Sequence, residues 1–334
     1  MSVLTASATT SSTTSAPGKT SGKFFGKLGY IALAAVLVIF TLGSPYFLTY
    51  GNIITILTQA SVFAVAGVGL AIVIICGGDD VLSGGIDLSS GAVAGLSGAV
   101  TAVLTVSGAN TFLAILGGFG TALVIGLING ASVLLGLRPL LATLATMGIA
   151  TSLELVVSNN IKVVAEGSLF VALREGTFLG LPLSAWTLLL VGAVSWAIYS
   201  RSSWGINSYA VGQNPTAATV AGISVNKYRF SSYLISSLLA GVAGVLLISR
   251  LSAAVPGIGG QILLDIILVS YMSIIFSNRL LVSVPGTVLA AIFVAALSNG
   301  LTLIGVESQW VGAAKGLLIL VVLASVTLKG RSAK

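Results

Sequence analysis

The sequence predicts an all-α, polytopic integral membrane protein of about ten transmembrane helices. Three observations lead there. Of 334 residues, 56% are hydrophobic and only 7% are Asp, Glu, Lys or Arg, against about 25% charged residues in a soluble domain. The apolar residues fall in long runs of the length that crosses a hydrocarbon core. The basic residues collect in alternate connections between those runs, which the positive-inside rule explains.

In chain order, residues 1–27 form a Ser-, Thr- and Ala-rich basic tail with too little apolar surface to offset chain entropy, so it is expected to be disordered and cytoplasmic. Lys19, Lys23 and Lys27 ahead of Leu28 to Phe40 have the layout of a signal peptide. The apolar run is long for that and more spans follow, so a retained signal anchor is expected. Gly18-Lys19-Thr20 matches the end of a phosphate-binding loop, but Thr13 stands where that loop needs its first Gly.

The membrane domain, residues 28–328, divides into spans at Leu28 to Phe47, Ile53 to Cys76, Ile86 to Val106, Phe112 to Leu135, Leu140 to Val157, Leu183 to Tyr199, Phe230 to Ser249, Ile262 to Phe276, Val284 to Ile304 and Val311 to Leu328. A second short tail, 329–334, follows. With the N-terminus inside, the inside segments hold eleven bases (Lys19, Lys23, Lys27, Arg138, Arg201, Lys227, Arg229, Arg279, Lys329, Arg331, Lys334) and the outside ones three (Lys162, Arg174, Arg250). Both termini and the polar segment 200–229 are therefore expected in the cytoplasm.

Leu127-Ile128-Asn129-Gly130 and Leu297-Ser298-Asn299-Gly300 echo one another, each downstream of a Gly-Thr pair, Gly120-Thr121 and Gly286-Thr287. An inverted repeat of five plus five spans would give this echo and place a solute path at the repeat interface. Chance similarity of two Gly-rich helices would also give it. The glycines at 117, 118, 120, 126 and 130, with Gly241 and Gly244, are read as sites of close helix packing.

With no His and a single Cys, Cys76, a Cys/His zinc site, a disulfide framework and a Ser-His-Asp triad are excluded. No cofactor or metal is expected. The net charge of +7 lies on no single face, so nucleic acid is not an expected partner. Membrane lipid is.

Chemistry concentrates in Gly84-Gly85-Ile86-Asp87-Leu88-Ser89-Ser90-Gly91. A lone acid at membrane depth is costly and usually functional. Gly84 and Gly85 can break a helix there, freeing backbone groups to line a polar path, and Asp87 either caps the next helix or faces the path. Gly77-Gly78-Asp79-Asp80 is a near-duplicate upstream. Ser89, Asn129 and Asn299 join the path candidates; Glu154 is another, or pairs with a base at the lipid interface. In the polar segment, Asn214 can cap a short helix with Pro215 at its first position and Gly222 can end it, either as a docking element or as an ordinary connector.

Residues from about Leu28 to Leu328 resemble the ribose-type (monosaccharide) permease subunits of bacterial ABC importers. Gly84 to Ser89 resembles the family's GGIDLS motif. Asn129-Gly130 with Pro139 to Met147 resembles its Asn-Gly and Pro-x-x-x-Thr-Leu-x-Thr-Met stretch, and Trp204-Gly205 through Gly222-Ile223 its coupling segment. The resemblance implies a non-enzymatic transport subunit in the bacterial inner membrane. Its implied partners are a cytoplasmic ATP-binding subunit, an extracytoplasmic sugar-binding protein and a second permease copy or paralogue. Pro215, Thr216, Ala217, Ala218, Gly222 and Ile223 would form the coupling helix. The chain departs from the family at Thr216, where Glu is usual, at Leu263, where an acid is usual, at Phe276 to Leu281 and in the extra stretch Gly77 to Ser83. Permeases for nucleosides or branched-chain amino acids are the alternative within the class. An ion-coupled secondary carrier using Asp87 is the alternative outside it.

Overall fold

In lipid each backbone polar group must be satisfied within its own segment, so the apolar runs can only be helices. The computed structural model describes residues 20–78, 84–277 and 279–332. Its α-helices are α1 (Thr20–Gly43), α2 (Tyr50–Gly77), α3 (Ser90–Val106), α4 (Thr111–Leu134), α5 (Pro139–Val157), α6 (Ser168–Glu175), α7 (Leu183–Arg201), α8 (Ser203–Gln213), α9 (Pro215–Val220), α10 (Val225–Leu251), α11 (Ile258–Met272), α12 (Val284–Leu303) and α13 (Ser308–Ser332). Two antiparallel pairs of two-residue strands, Val163–Val164 with Ala253–Ala254 and Thr177–Phe178 with Leu181–Pro182, tie the connections at one end.

Seven helices are at least 18 residues long and apolar enough to cross a membrane, and three shorter apolar stretches, Gly29–Gly43, Ser90–Val106 and Ser308–Val322, bring the described set to the ten expected. Several boundaries move. α1 is already helical from Thr20, so residues 20–27 are not coil; once a helix is nucleated by the apolar run, each added residue gains a bond. α3 starts at Ser90 and not at Ile86, because the Asp87 side chain accepts from Ser89 and holds residues 87–89 in a turn ahead of the helix. The segment 200–229 is no loop: it holds the end of α7, all of α8 and α9, and the start of α10. The short amphipathic α6 was not anticipated. Residues 1–19 of the tail, Asp79 to Ser83, Asn278 and residues 333–334 lie outside the described residues.

α2 is apolar on every side and is buried from Ala60 to Cys76, as an all-round apolar helix must be. It packs on α10, α11 and α12, while α10 packs on α2, α3 and α4. Exchanging the halves α1–α5 and α7, α10–α13 maps these contacts onto one another, as a five-plus-five repeat requires, but α2 also packs on α7 and the described residues show no comparable packing of α10 on α1. The echoed glycines both sit against aromatic rings, but not on corresponding helices: a Cβ on Gly130 would meet the Phe230 ring of α10 at 2.7 Å, and one on Gly300 the Phe40 ring of α1 at 2.2 Å. Gly118, Gly126 and Gly244 also sit against neighbouring helices, but Gly120 has nothing within 4 Å and so serves no packing contact within the subunit.

Candidate functional site

The broken segment before α3 is set by backbone contact that only glycine allows. A Cβ on Gly85 would lie 2.1 Å from the Val73 carbonyl oxygen, and one on Gly77 2.2 Å from Gly85 Cα. Gly85 N–H donates to the Gly78 carbonyl at 3.0 Å. The chain then turns at Asp87, whose Oδ1 accepts from Ser89 N–H at 3.0 Å and from Ser89 Oγ at 2.6 Å. Asp87 is thus an Asx turn ahead of the helix and not its cap, the N-cap position being Ser89.

From Asp87 a chain of hydrogen bonds crosses the bundle. Ser236 Oγ on α10 donates to Asp87 Oδ2 at 2.9 Å, Asn129 Nδ2 on α4 donates to Ser89 Oγ at 2.8 Å, and Thr146 Oγ1 on α5 donates to Asn129 Oδ1 at 2.6 Å. Tyr233 OH on α10 donates to the Ile86 carbonyl at 3.3 Å. Asp87, Ser89 and Asn129 are fully buried. Their polar atoms therefore serve one another, as groups in low dielectric must, and in this conformation the set acts as a clamp joining α3, α4, α5 and α10. Sequence reasoning found three members and placed Thr146 within the Pro139–Met147 motif without a role, but missed Ser236 and Tyr233, ordinary residues on a span far away in sequence.

Asn299 is not part of this clamp. It exchanges two amide hydrogen bonds of 2.9 Å with Asn52 at the start of α2. Glu154 does not pair with an interfacial base: it is buried, and its Oε1 accepts from Gly257 N–H at the start of α11 at 3.1 Å. Its Oε2 makes no hydrogen bond among the described residues. A small cleft lined by Val73, Gly84, Gly85, Arg229 and Tyr233 opens beside the broken segment.

The capped helix of the polar segment forms as its sequence dictates. Asn214 Oδ1 accepts from Ala217 N–H at 2.9 Å and Pro215 occupies the first turn. At the far end Gly222 takes φ +78°, Ile223 N–H donates to the Ala218 carbonyl and Gly222 N–H to the Thr219 carbonyl, each at 2.9 Å. That is a complete Schellman ending. Pro215, Thr216 and Ala217 are exposed, Ala218 is buried beneath them, and Ile223 is half-buried.

α8 carries this exposed helix and is itself firmly seated. Trp204 Nε1 donates to Ser231 Oγ at 3.3 Å, Asn207 Nδ2 to Tyr228 OH at 2.9 Å, and Tyr209 OH to the Val282 carbonyl at 3.1 Å. Tyr199 meets Trp204 and Tyr209 edge-on at 5.4 and 5.7 Å. At the end of α8, Gly212 is pressed on the end of α2: a Cβ there would lie 2.0 Å from the Ile75 carbonyl oxygen, and one on Gly78 2.9 Å from the Gly212 carbonyl. Gly212 thus touches Gly78, Gly78 bonds Gly85, and Gly85 leads into the Asp87 clamp.

These helices and this clamp define a multi-pass helical membrane protein with a buried internal polar network and an exposed, capped short helix between α8 and α10. The chain belongs to the branched-chain amino acid transport system / permease component family, whose sequence profile matches residues 52–323. It is 34% identical over 299 residues to the ribose import permease protein RbsC of Bacillus subtilis (strain 168), covering 88% of this chain and 91% of that one. It is 32% identical over 305 residues to the protein of the same name from Haemophilus influenzae, covering 87% and 90%. With the D-allose transport system permease protein AlsC of Escherichia coli (strain K12) it shares 33% over 307 residues, covering 90% and 91%.

Proposed function

We propose that this chain is the membrane-spanning permease subunit of an ATP-driven, binding-protein-dependent importer of a ribose-like monosaccharide in a bacterial inner membrane. The observation that carries the reading is the near full-length similarity to ribose and allose permeases, combined with an exposed capped helix wired to the membrane core. In this reading Pro215, Thr216, Ala217, Ala218, Gly222 and Ile223 present the surface that a cytoplasmic ATP-hydrolysing subunit grips. An extracytoplasmic sugar-binding protein delivers solute to the opposite side, and a second permease copy or paralogue completes the path. Both termini are cytoplasmic, as the eleven-to-three distribution of bases supports.

The mechanism follows from rigidity. A push on α9 moves α8, because the Asn214 cap joins the two without slack. α8 cannot slide over α2, because Gly212 and the Ile75 carbonyl are in backbone contact. The movement reaches Gly85 through its bond to Gly78 and from there the Asp87 clamp, whose opening would separate α10 from α3 and α4. Gly84, Gly85, Asp87, Ser89 and Asn129 then control the path, while Asn299 fixes the outer ends of α2 and α12.

The test is uptake into proteoliposomes containing the permease, its ATPase and binding protein loaded with ribose. ATP-dependent accumulation is expected. Accumulation driven by an ion gradient without the ATPase would assign a secondary carrier, and uptake of leucine in place of ribose would assign an amino-acid permease.

A further inference from the structure

Outside the clamp, one pair of charged side chains lies within the membrane-spanning helices with no role so far. Lys315 Nζ on α13 is 2.7 Å from Asp265 Oδ1 on α11, and their side chains are 15% and 7% exposed. At 1.5 Å per residue both lie about 10 Å in from the N-terminal ends of their helices. The ammonium group also stands 5.8 Å from the centre of the Phe63 ring on α2. The pair lies between α11 and α13 beside α2: Asp265 and Phe63 are buried, and Lys315 is partly exposed at the subunit surface.

That surface carries other polar groups. On α2, Asn52, Thr55, Gln59 and Phe63 recur at helical spacing on one face. Thr55 is exposed and Gln59 half-buried, one turn from Phe63 towards Tyr50. On α11, exposed Gln261 stands one turn from Asp265 towards Ile258. By contrast α4 turns Leu116, Leu123, Val124 and Ile128 outwards, the surface hydrocarbon requires. The ion pair and Gln59, about 10 Å or more in from the helix ends, are not expected to face lipid; such groups face the bundle interior or water.

We infer that the α2–α11–α13 face, from Thr55 through Gln59 and Gln261 to the Asp265–Lys315 pair, is the subunit's wall of the solute path, and that it takes a neutral polyhydroxylated solute. This rests on the permease reading above and moves solute contact from the buried Asp87 clamp to this surface. The chemistry selects the solute class. The Gln59 and Gln261 amides and the Asp265–Lys315 pair offer both donors and acceptors to hydroxyls. An amino acid would need the carboxylate and ammonium separately, and breaking the pair to supply them is costly in a low-dielectric site.

Two measurements test the inference. Replacing both partners, Asp265→Leu with Lys315→Leu, removes the charges together, which often leaves stability unchanged. The double variant is expected to keep its melting temperature and bind the ATPase subunit, yet to lose ribose uptake by about tenfold or more. Unchanged uptake would overturn the assignment. Should that variant fail to fold, thiol labelling decides, since it needs no solute. With Cys76→Ala as background, Gln59→Cys is expected to react with a charged methanethiosulfonate added outside about tenfold faster than Leu190→Cys, which lies on the exposed apolar face of α7. Equal rates would overturn the proposal. Fast labelling in a complex that does not import ribose would instead refute the monosaccharide reading and leave this wall in place.

Discussion

Asp87 shows how a residue's role depends on which atoms reach it. As a lone acid in an apolar chain it reads as a path group, but it accepts three hydrogen bonds from Ser89 and Ser236 and has no exposed surface. Asp87→Leu would strand those donors at about 1–3 kcal/mol each, whereas Asp87→Asn keeps an acceptor and should cost on the order of 1 kcal/mol. Thermal melting of the detergent-purified subunit is expected to rank parent, Asn and Leu variants in that order, with the Leu variant well below the other two. Equal melting temperatures for the Asn and Leu variants would show that the clamp contributes little. Asp265 and Lys315 illustrate the converse: each is a lone charge in its own apolar run, and only the packing of α11 on α13 brings them together.

At the scale of the element, two glycines ten residues apart make opposite predictions. Gly222 adopts φ +78° with nothing within 4 Å of a Cβ, so Gly222→Ala should cost about 1–2 kcal/mol of left-handed strain in α9 alone. Gly222→Arg should also leave the membrane domain folded while its bulk disturbs the docking surface and stops transport. Gly212→Ala places a methyl group 2.0 Å from a backbone oxygen of α2, so α8 must lift away. Uptake per ATP hydrolysed is expected to fall in Gly212→Ala and to stay near the parent's in Gly222→Ala. Equal ratios in the two would break the proposed link from α9 to the clamp. The caps of α9 were legible in Asn214, Pro215 and Gly222, because capping is local; the seat of α8 on α2 was not, because Gly212 and Ile75 are distant in sequence.

For the whole molecule, every role depends on which compartment each connection faces. Ser224 and Ser168 are both exposed. A cysteine at Ser224, with Cys76→Ala, is expected to label only from the cytoplasm, and one at Ser168 only from outside. Ser224 labelling from outside would mean a span gained or lost before α8 and would put α9 beyond any ATPase's reach. The ten apolar helices and the exchanged packing of α2 and α10 agree with the count behind this expectation.

The sequence by itself determined that the chain lives in a bilayer, roughly where its ten apolar spans fall, where α9 is capped and which family's motifs it carries. Those properties follow from hydropathy, charge placement and turn chemistry, all of which act over neighbouring residues. Only the tertiary structure decided that Asp87 closes on Ser236, that Asn299 pairs with Asn52 and not with the clamp, and that Asp265 meets Lys315. Hydropathy fixes how deep a helix lies but not which helix stands beside it. That is set by close glycine contacts and a few interhelical hydrogen bonds between residues far apart in the chain.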